Sequence, residues 1–220
     1  MFKTELHCHS NDVSACARVD VDTIIKRYTE GGYTSLVLTN HLSIYTYDYI
    51  KPTDWNDFID KFVGGYKKLK EAAGEKLNIL FGMELRFKNS CNDYLVFGVT
   101  EEFLRAHEDL LDMYPEKFHN ICKENGYLFI QAHPFRNWMS VTPPDQVDGV
   151  EVFNGHKGHD SRNDIANMWA DKFNLIKTSG TDFHYADVPT NAGIMTEYEI
   201  KDINTLIDTL KSGNYTLIKE

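Results

Sequence analysis

The chain has 220 residues, of which 42% are hydrophobic and 25% charged, and its formal net charge is −10. That length suits one domain, residues 1–220, with a substantial core, and the composition is that of an ordinary globular protein. The acidic balance argues against a binder of the phosphate backbone, so no long nucleic acid is expected as partner, and no stretch approaches the roughly 20 apolar residues of a membrane span.

Phe2 to Ser10 opens as a strand ending in His7-Cys8-His9. Side chains at i and i+2 leave a strand on the same face, so the two imidazoles point together. A polar loop follows from Asn11 to Val19. Asp20 to Thr23 then opens a helix through Ile24, Ile25 and Tyr28, stopped by Gly31-Gly32. Ser35 to Thr39 is an apolar strand ending at Asn40-His41, which makes a βαβ unit with a right-handed crossover.

A Tyr-rich loop leads to Thr53-Asp54, a helix cap. Trp55, Phe58, Ile59, Phe62, Val63, Tyr66 and Leu69 then keep the helical period, interrupted by Gly64-Gly65, each locally unfavourable by about 1 kcal/mol relative to alanine. Leu77 to Met83 is a strand ending at Glu84, and Asp93 to Gly98 another. Glu101 to Leu111 is predicted helical, and Pro115 starts a helix that reaches Gly126. Tyr127 to Ala132 is a strand ending at His133-Pro134, and Pro143-Pro144 marks a turn. Gly149 to Phe153 is a strand ending at Asn154-Gly155, followed by a helix with Ile165, Trp169 and Phe173 inward. Leu175 to Thr178 precedes Asp182-x-His184. Ile203, Leu206, Ile207 and Leu210 define a last helix stopped by Gly213, and Tyr215 to Ile218 a closing strand. Cys8, Cys16, Cys91 and Cys122 form no Cys-x-x-Cys pair and read as reduced thiols. With neither a basic n-region nor an apolar h-region at the start, a cytoplasmic protein is expected.

The chemistry-bearing residues fall at strand exits: His7, His9, His41, Glu84, His133, Asp182 and His184. In a parallel α/β barrel such exits ring one mouth. Five histidines and two carboxylates exceed the needs of one tetrahedral zinc, and Glu84 can bridge cations, so the set reads as two or three divalent metal ions. Asp20/Asp22 and Glu197/Glu199, also spaced i, i+2, read as solvated edges, and His107 and His119 as surface residues. Close divalent ions serve in-line displacement, phosphoryl transfer above all, with a metal-bound hydroxide as nucleophile. A small phosphorylated substrate also needs cations from the protein. Arg136, just after His133-Pro134-Phe135, offers a bidentate fork, with Arg18 and with Arg162 after Asn154-Gly155 as further candidates. His156 and His159 share that last loop and read as exposed residues. Tyr45 to Tyr49 either stacks on a base or sugar ring or packs on the helix beginning at Trp55.

His7-x-His9, Thr39-Asn40-His41, Gly82-Met83-Glu84, Ala132-His133-Pro134 and Gly180-Thr181-Asp182-Phe183-His184 resemble the ordered motifs of the PHP (polymerase and histidinol phosphatase) family over nearly the whole chain. The resemblance implies a distorted (β/α)7 barrel holding up to three metals, usually zinc, manganese or iron, and phosphoesterase chemistry. It implies that His7, His9, Glu84 and Asp182 hold one metal, that Glu84 bridges to a second held by His133, and that His41 and His184 serve a third. Catalysis then rests on His7, His9, Glu84, Asp182 and His184. Asp93 stands where the family often has a histidine. The family's loop ligand after His-x-His is replaced near Ser14, with Asp12 and Cys16 as the alternatives. Asn40 replaces the usual Asp before His41.

Two other readings compete: a metal-dependent amide or lactone hydrolase on a related barrel, and a catalytically silent metal-binding scaffold. No lysine ends a middle strand, which counts against the first. Retention of the strand-exit set counts against the second.

Overall fold

The computed structural model describes residues 1–220. β1 (Phe2–Cys8) leads into α1 (Val21–Glu30), which Asp20 caps by accepting the Thr23 N–H and which buries Ile24, Ile25 and Tyr28. β2 (Tyr33–Leu38) and the two-residue β3 (His41–Leu42) follow. The Tyr-rich segment, expected as a loop, forms a short helix, α2 (Ile44–Ile50), because Ser43 accepts the Thr46 N–H as its cap. α3 (Trp55–Ala73) is capped by Asp54 and buries Trp55, Phe58, Ile59, Phe62, Val63 and Leu69. Its second central glycine has a tertiary reason: a Cβ on Gly65 would lie 2.6 Å from Val13 Cγ2, so the helix passes hard against the loop that follows β1.

β4 (Asn78–Leu85) and β5 (Tyr94–Phe97) precede α4 (Glu101–Ala106), which is shorter than the predicted helix and gives way to a 3-10 turn at Leu110–Asp112. α5 (Pro115–Asn125) starts on its proline and ends at Gly126, whose φ is +76°. β6 (Leu128–Gln131), β7 (Gly149–Asn154), α6 (Asn163–Phe173) and β8 (Ile176–Gly180) complete the alternation. β9 (Ala192–Thr196), α7 (Ile203–Ser212) and β10 (Thr216–Lys219) close the chain.

The strands form one sheet in the order β10-β9-β1-β2-β4-β5-β6-β7-β8. β1/β2, β2/β4, β6/β7 and β7/β8 pair parallel. β5 runs antiparallel to both β4 and β6, and β9 antiparallel to both β1 and β10. Closure occurs at the rim, where the His9 N–H donates to Phe183 O and the Phe183 N–H to His7 O, both at 3.2 Å. The result is a distorted α/β barrel of mixed strands with seven α-helices, as the sequence motifs imply.

Reversal of β5 has a functional consequence. Its first end, not its last, lies at the rim beside the ends of β4 and of the parallel strands, so Asp93 reaches the mouth from the start of its strand.

Three further expectations change. β9 was not foreseen. On α6 Ala166 and Ala170 are buried and Trp169 is half-buried against the β7 cluster as expected, whereas Ile165 and Phe173 are exposed, because small side chains let the helix sit close on β7. His119 is buried, not a surface residue: its ring nitrogens reach Asp145 O at 3.2 Å and Asp148 Oδ1 at 3.1 Å, tying α5 to the turn before β7.

Candidate metal centre

His7 sits near the end of β1, Glu84 near the end of β4, His41 in β3 and His133 just beyond β6, and Asp182 and His184 follow β8. The barrel brings all six to one rim, as their strand-exit positions predict. One ligand atom each from His7, His9, Glu84 and Asp182 lies within 4.8 Å of the others, and all four side chains are buried. His7 Nε2 is 3.4 Å from both Glu84 Oε1 and Asp182 Oδ1. His9 Nε2 is 3.2 Å from Glu84 Oε2 and 3.4 Å from Asp182 Oδ1.

Glu84 is the hinge of the arrangement. Its Oε1 also meets His133 Nε2 at 3.1 Å, and its Oε2 meets His41 Nδ1 at 2.8 Å. Four imidazoles therefore converge on one carboxylate. Two further groups adjoin the first: His9 with His41 and His184, and His41 with Glu84 and Asp93.

Backbone conformation is spent on this convergence. His133 and Asp182 both have positive φ, +29° and +52°, a region that costs a residue with a Cβ about 1–2 kcal/mol. At Gly180 any Cβ would overlap the Cβ of His7 and lie 2.7 Å from Glu151 Oε1, so glycine lets β8 close against β1.

Charge is sorted sharply inside the cup. Burial works against it, but the carboxylates of Asp182, Glu151 and Glu84 push His7 well above the usual imidazole range. Burial likewise opposes, and the histidines override, holding Glu84 and Asp182 well below ordinary carboxylates. His9 is pushed the other way, to about 3, by burial and by its neighbours His184 and His41. Cys16, where burial alone would raise the thiol, is brought down to about 6 by hydrogen bonds to His184 and His41.

Several residues that hold the cup were not singled out in the sequence. Glu151 Oε1 accepts from His7 Nδ1 at 2.9 Å, and its Oε2 accepts the His133 N–H at 3.0 Å. Glu5 Oε1 accepts the backbone N–H of Leu6, His7 and Thr181, and Glu5 Oε2 the hydroxyls of Tyr28 and Thr181, joining β1 to the Asp182 segment. Even so, burial pushes the Glu5 carboxyl up to about 7. Both residues carried a signal: Glu5 lies two before His7, on the same strand face, and Glu151 interrupts an apolar strand. Asn40 Oδ1 accepts from the Ser10 N–H at 2.8 Å and the Ser14 hydroxyl at 2.9 Å, fixing the loop after β1.

The cup opens into a cavity of about 670 Å³ lined by His41, Glu84, Asp93, His133, Asp182 and His184 together with Arg136, Cys16, His156 and His159. Arg136 donates to Asp182 Oδ2 at 2.8 Å and to Asn154 Oδ1 at 2.9 Å, while its Nε is buried without a hydrogen bond. Asn154 in turn donates to Glu151 and Asp182. Asp93 is engaged by Arg86 at 2.6 Å, a guanidinium the sequence reading did not include. Arg18 and Arg162 stand apart from the cavity: Arg18 donates to Ala15 O and Ala17 O, Arg162 to Phe135 O and Asn137 Oδ1. Tyr45 lines the mouth, and Trp138, Met139 and Tyr185 join it.

The donor set fits metal ions on a direct observation. His7 Nε2 and His9 Nε2 are buried and make no hydrogen bond, although both point into the same small space. Orphaned buried acceptors are costly unless a cation takes their lone pairs. Clusters that share Glu84 suit several ions rather than one. No helix is long and apolar enough to cross a membrane.

Among solved structures, the chain is similar over its full length to 65% of a two-domain protein from Bacteroides vulgatus that contains a predicted PHP-like metal-dependent phosphoesterase (16% identity, TM-score 0.68). It is also similar over its full length to 91% of PsfC from Pseudomonas syringae (13%, 0.65). A lesion-specific endonuclease from Pyrococcus furiosus is matched by 98% of the chain over 57% of its own length (15%, 0.63). At such identities the likeness is one of fold. No curated protein sequence matches the chain. The PHP domain itself matches residues 5–198, spanning every residue of the cup, and the chain belongs to the PHP domain family.

Proposed function

We propose that this protein is a metal-dependent phosphoesterase that hydrolyses a small phosphate ester, using two or three divalent ions drawn from zinc, manganese and iron. The observation that carries the reading is the convergence of His7, His9, Glu84 and Asp182 with two imidazole Nε2 atoms left without a hydrogen bond in a buried cup. These four would hold one ion. Glu84, His133 and Asp93 would hold a second, and His41 and His184 a third. Divalent cations held there supply Lewis-acid polarisation of a phosphoryl oxygen and activation of water for attack at neutral pH.

The protein's own groups do the rest. Glu151 and Asn154 orient His7 and Asp182, and burial of the cup keeps bulk water from its base. Arg136 lines the cavity wall, its side chain 12% exposed and paired with Asp182, which suits its guanidinium to bind a phosphate oxygen beside that carboxylate. A cavity of about 670 Å³ matches a small ligand. The net charge of −10 disfavours a long polyanion.

The test is metal analysis of the purified protein together with hydrolysis of a generic aryl phosphate before chelation, after chelation and after metal restoration. Bound metal with chelator-sensitive phosphatase activity is expected. Metal with only amide or lactone turnover, or with no turnover of any ester, would overturn the reading.

A further inference from the structure

We propose that Cys16 is a thiolate ligand of the cation position formed by His41 and His184, so that this one position is built for a softer metal than its carboxylate-rich neighbours. The inference rests on the reading of the cup as a metal centre and adds to it a sulfur donor that the family motifs do not supply.

Geometry leaves one residue for the role. The loop after β1 is pinned at several points: the Asn11 N–H donates to Val19 O at 2.9 Å, Ala17 N–H to Ser14 O at 3.0 Å, and Arg18 N–H to His184 O at 2.8 Å. Held in this way, Cys16 places Sγ 3.2 Å from His184 Nε2. His184 Nδ1 faces Asp182 O at 3.0 Å, which turns Nε2 toward the thiol, and His41 flanks Cys16 as well. Of the other loop residues, Asp12 is paired with Lys68 at 2.5 Å, away from the cavity. The Ser14 hydroxyl is already committed to Asn40 Oδ1 at 2.9 Å and the His41 N–H at 3.1 Å.

A second observation points to a ligand independently of the cysteine. His9, His41 and His184 each bring a ligand nitrogen within 4.8 Å of the others. The His9 ring lies 4.4 Å from that of His41 and 4.2 Å from that of His184, and its Nε2 is buried with no hydrogen bond. So close a group of ligand nitrogens is a geometry that a cation can occupy. Thiolate with imidazole selects zinc, or cobalt as its spectroscopic stand-in, over manganese and magnesium, which prefer oxygen.

The experiment strips the protein with a chelator and titrates it with Co²⁺ while recording absorption. The wild-type protein is expected to show a near-ultraviolet sulfur-to-cobalt charge-transfer band beside the visible d–d bands. Cys16→Ser is expected to lose the first and keep the second. On the unmutated protein, Zn²⁺ is expected to slow iodoacetamide alkylation of Cys16 by about tenfold or more, because the metal occupies the nucleophilic lone pair. Because Cys91 is exposed and lines the same cavity, Cys16→Ser alkylated in parallel gives the background to subtract. Visible d–d bands without a charge-transfer band, or Cys16 alkylation indifferent to zinc, would overturn the inference and leave the metal centre standing. No cobalt binding at all would overturn both.

Discussion

Glu151 Oε1 lies 2.9 Å from His7 Nδ1, both side chains fully buried, and so fixes which nitrogen of His7 faces the cup. A carboxylate accepts, so Nδ1 keeps its proton and Nε2 is the nitrogen that would give a lone pair to a cation beside Glu84 and Asp182. Glu151→Gln keeps the shape but can offer an N–H where an acceptor is required. Metal affinity is expected to fall by about 10- to 100-fold, with the circular dichroism spectrum unchanged. Equilibrium dialysis checks this, and wild-type affinity in the variant would remove Glu151 from the account.

Removing a cup residue outright is the stronger change. His7→Ala and Asp182→Ala each delete a donor that would hold the first ion, and several kcal/mol of transition-state stabilisation corresponds to a rate loss of about 10³. Asp182→Ala also strips the partner from Arg136, so a modest loss of thermal stability accompanies it. Asp182→Asn retains an acceptor for Arg136 and separates the two effects: stability is expected to recover, turnover not. Full activity in His7→Ala or in Asp182→Asn contradicts the assignment.

The rim was legible because it obeys short-range rules. Strand alternation put His7 and His9 on one face, and apolar runs ended at Glu84 and His133. Asp20, Asp54 and the Pro115/Gly126 pair marked helix ends by capping chemistry that needs only local residues. Strand direction was the harder matter. The sequence marks Asp93 to Gly98 as a strand without its direction, yet the connection of residues 86–93 is too brief for the crossover that a parallel neighbour requires. β9 was missed because its pairing with β1 is settled across the whole chain, with Gly193 at φ +127° packed on the Thr4 carbonyl. The loop ligand is open between Asp12 and Cys16 in the sequence because the choice depends on Lys68 and His184, one from α3 and one from the segment after β8, distant in the chain but closed against β1.

The adjacent glycines of α3 are expected to answer substitution with opposite signs. A Cβ on Gly64 meets nothing within 4 Å, so Gly64→Ala recovers helix propensity and stabilises by about 0.5–1 kcal/mol. On Gly65 the same methyl presses 2.6 Å from Val13 Cγ2, in the loop whose far end carries Cys16. Overpacking of that kind costs about 1–3 kcal/mol. Thermal melts of the two variants decide the point; equal shifts would mean that Val13 yields freely and that α3 does not buttress the loop.

Metal binding is expected to release protons, and the sign follows from the charges in the cup. Without cations, the surrounding carboxylates hold His7 and His41 well above the ordinary imidazole range, and His184 is raised to about 10, in each case against the opposing effect of burial. These rings therefore carry protons at neutral pH, whereas Glu84 and Asp182, held low, stay ionised. His9, pushed to about 3, is already neutral. A ligating imidazole must be neutral, so each ion that enters displaces protons from His7, His41 or His184 and leaves His9 unchanged. Affinity should then rise with pH through the neutral range and weaken on acidification, because it is proton competition at the histidines, not loss of carboxylate charge, that opposes binding there. Calorimetric titration with Zn²⁺ in buffers of different ionisation enthalpy reads the number of protons released directly. A value near zero at pH 7 would show that the histidines enter the metal-free cup already neutral, and would reverse this electrostatic reading of the site.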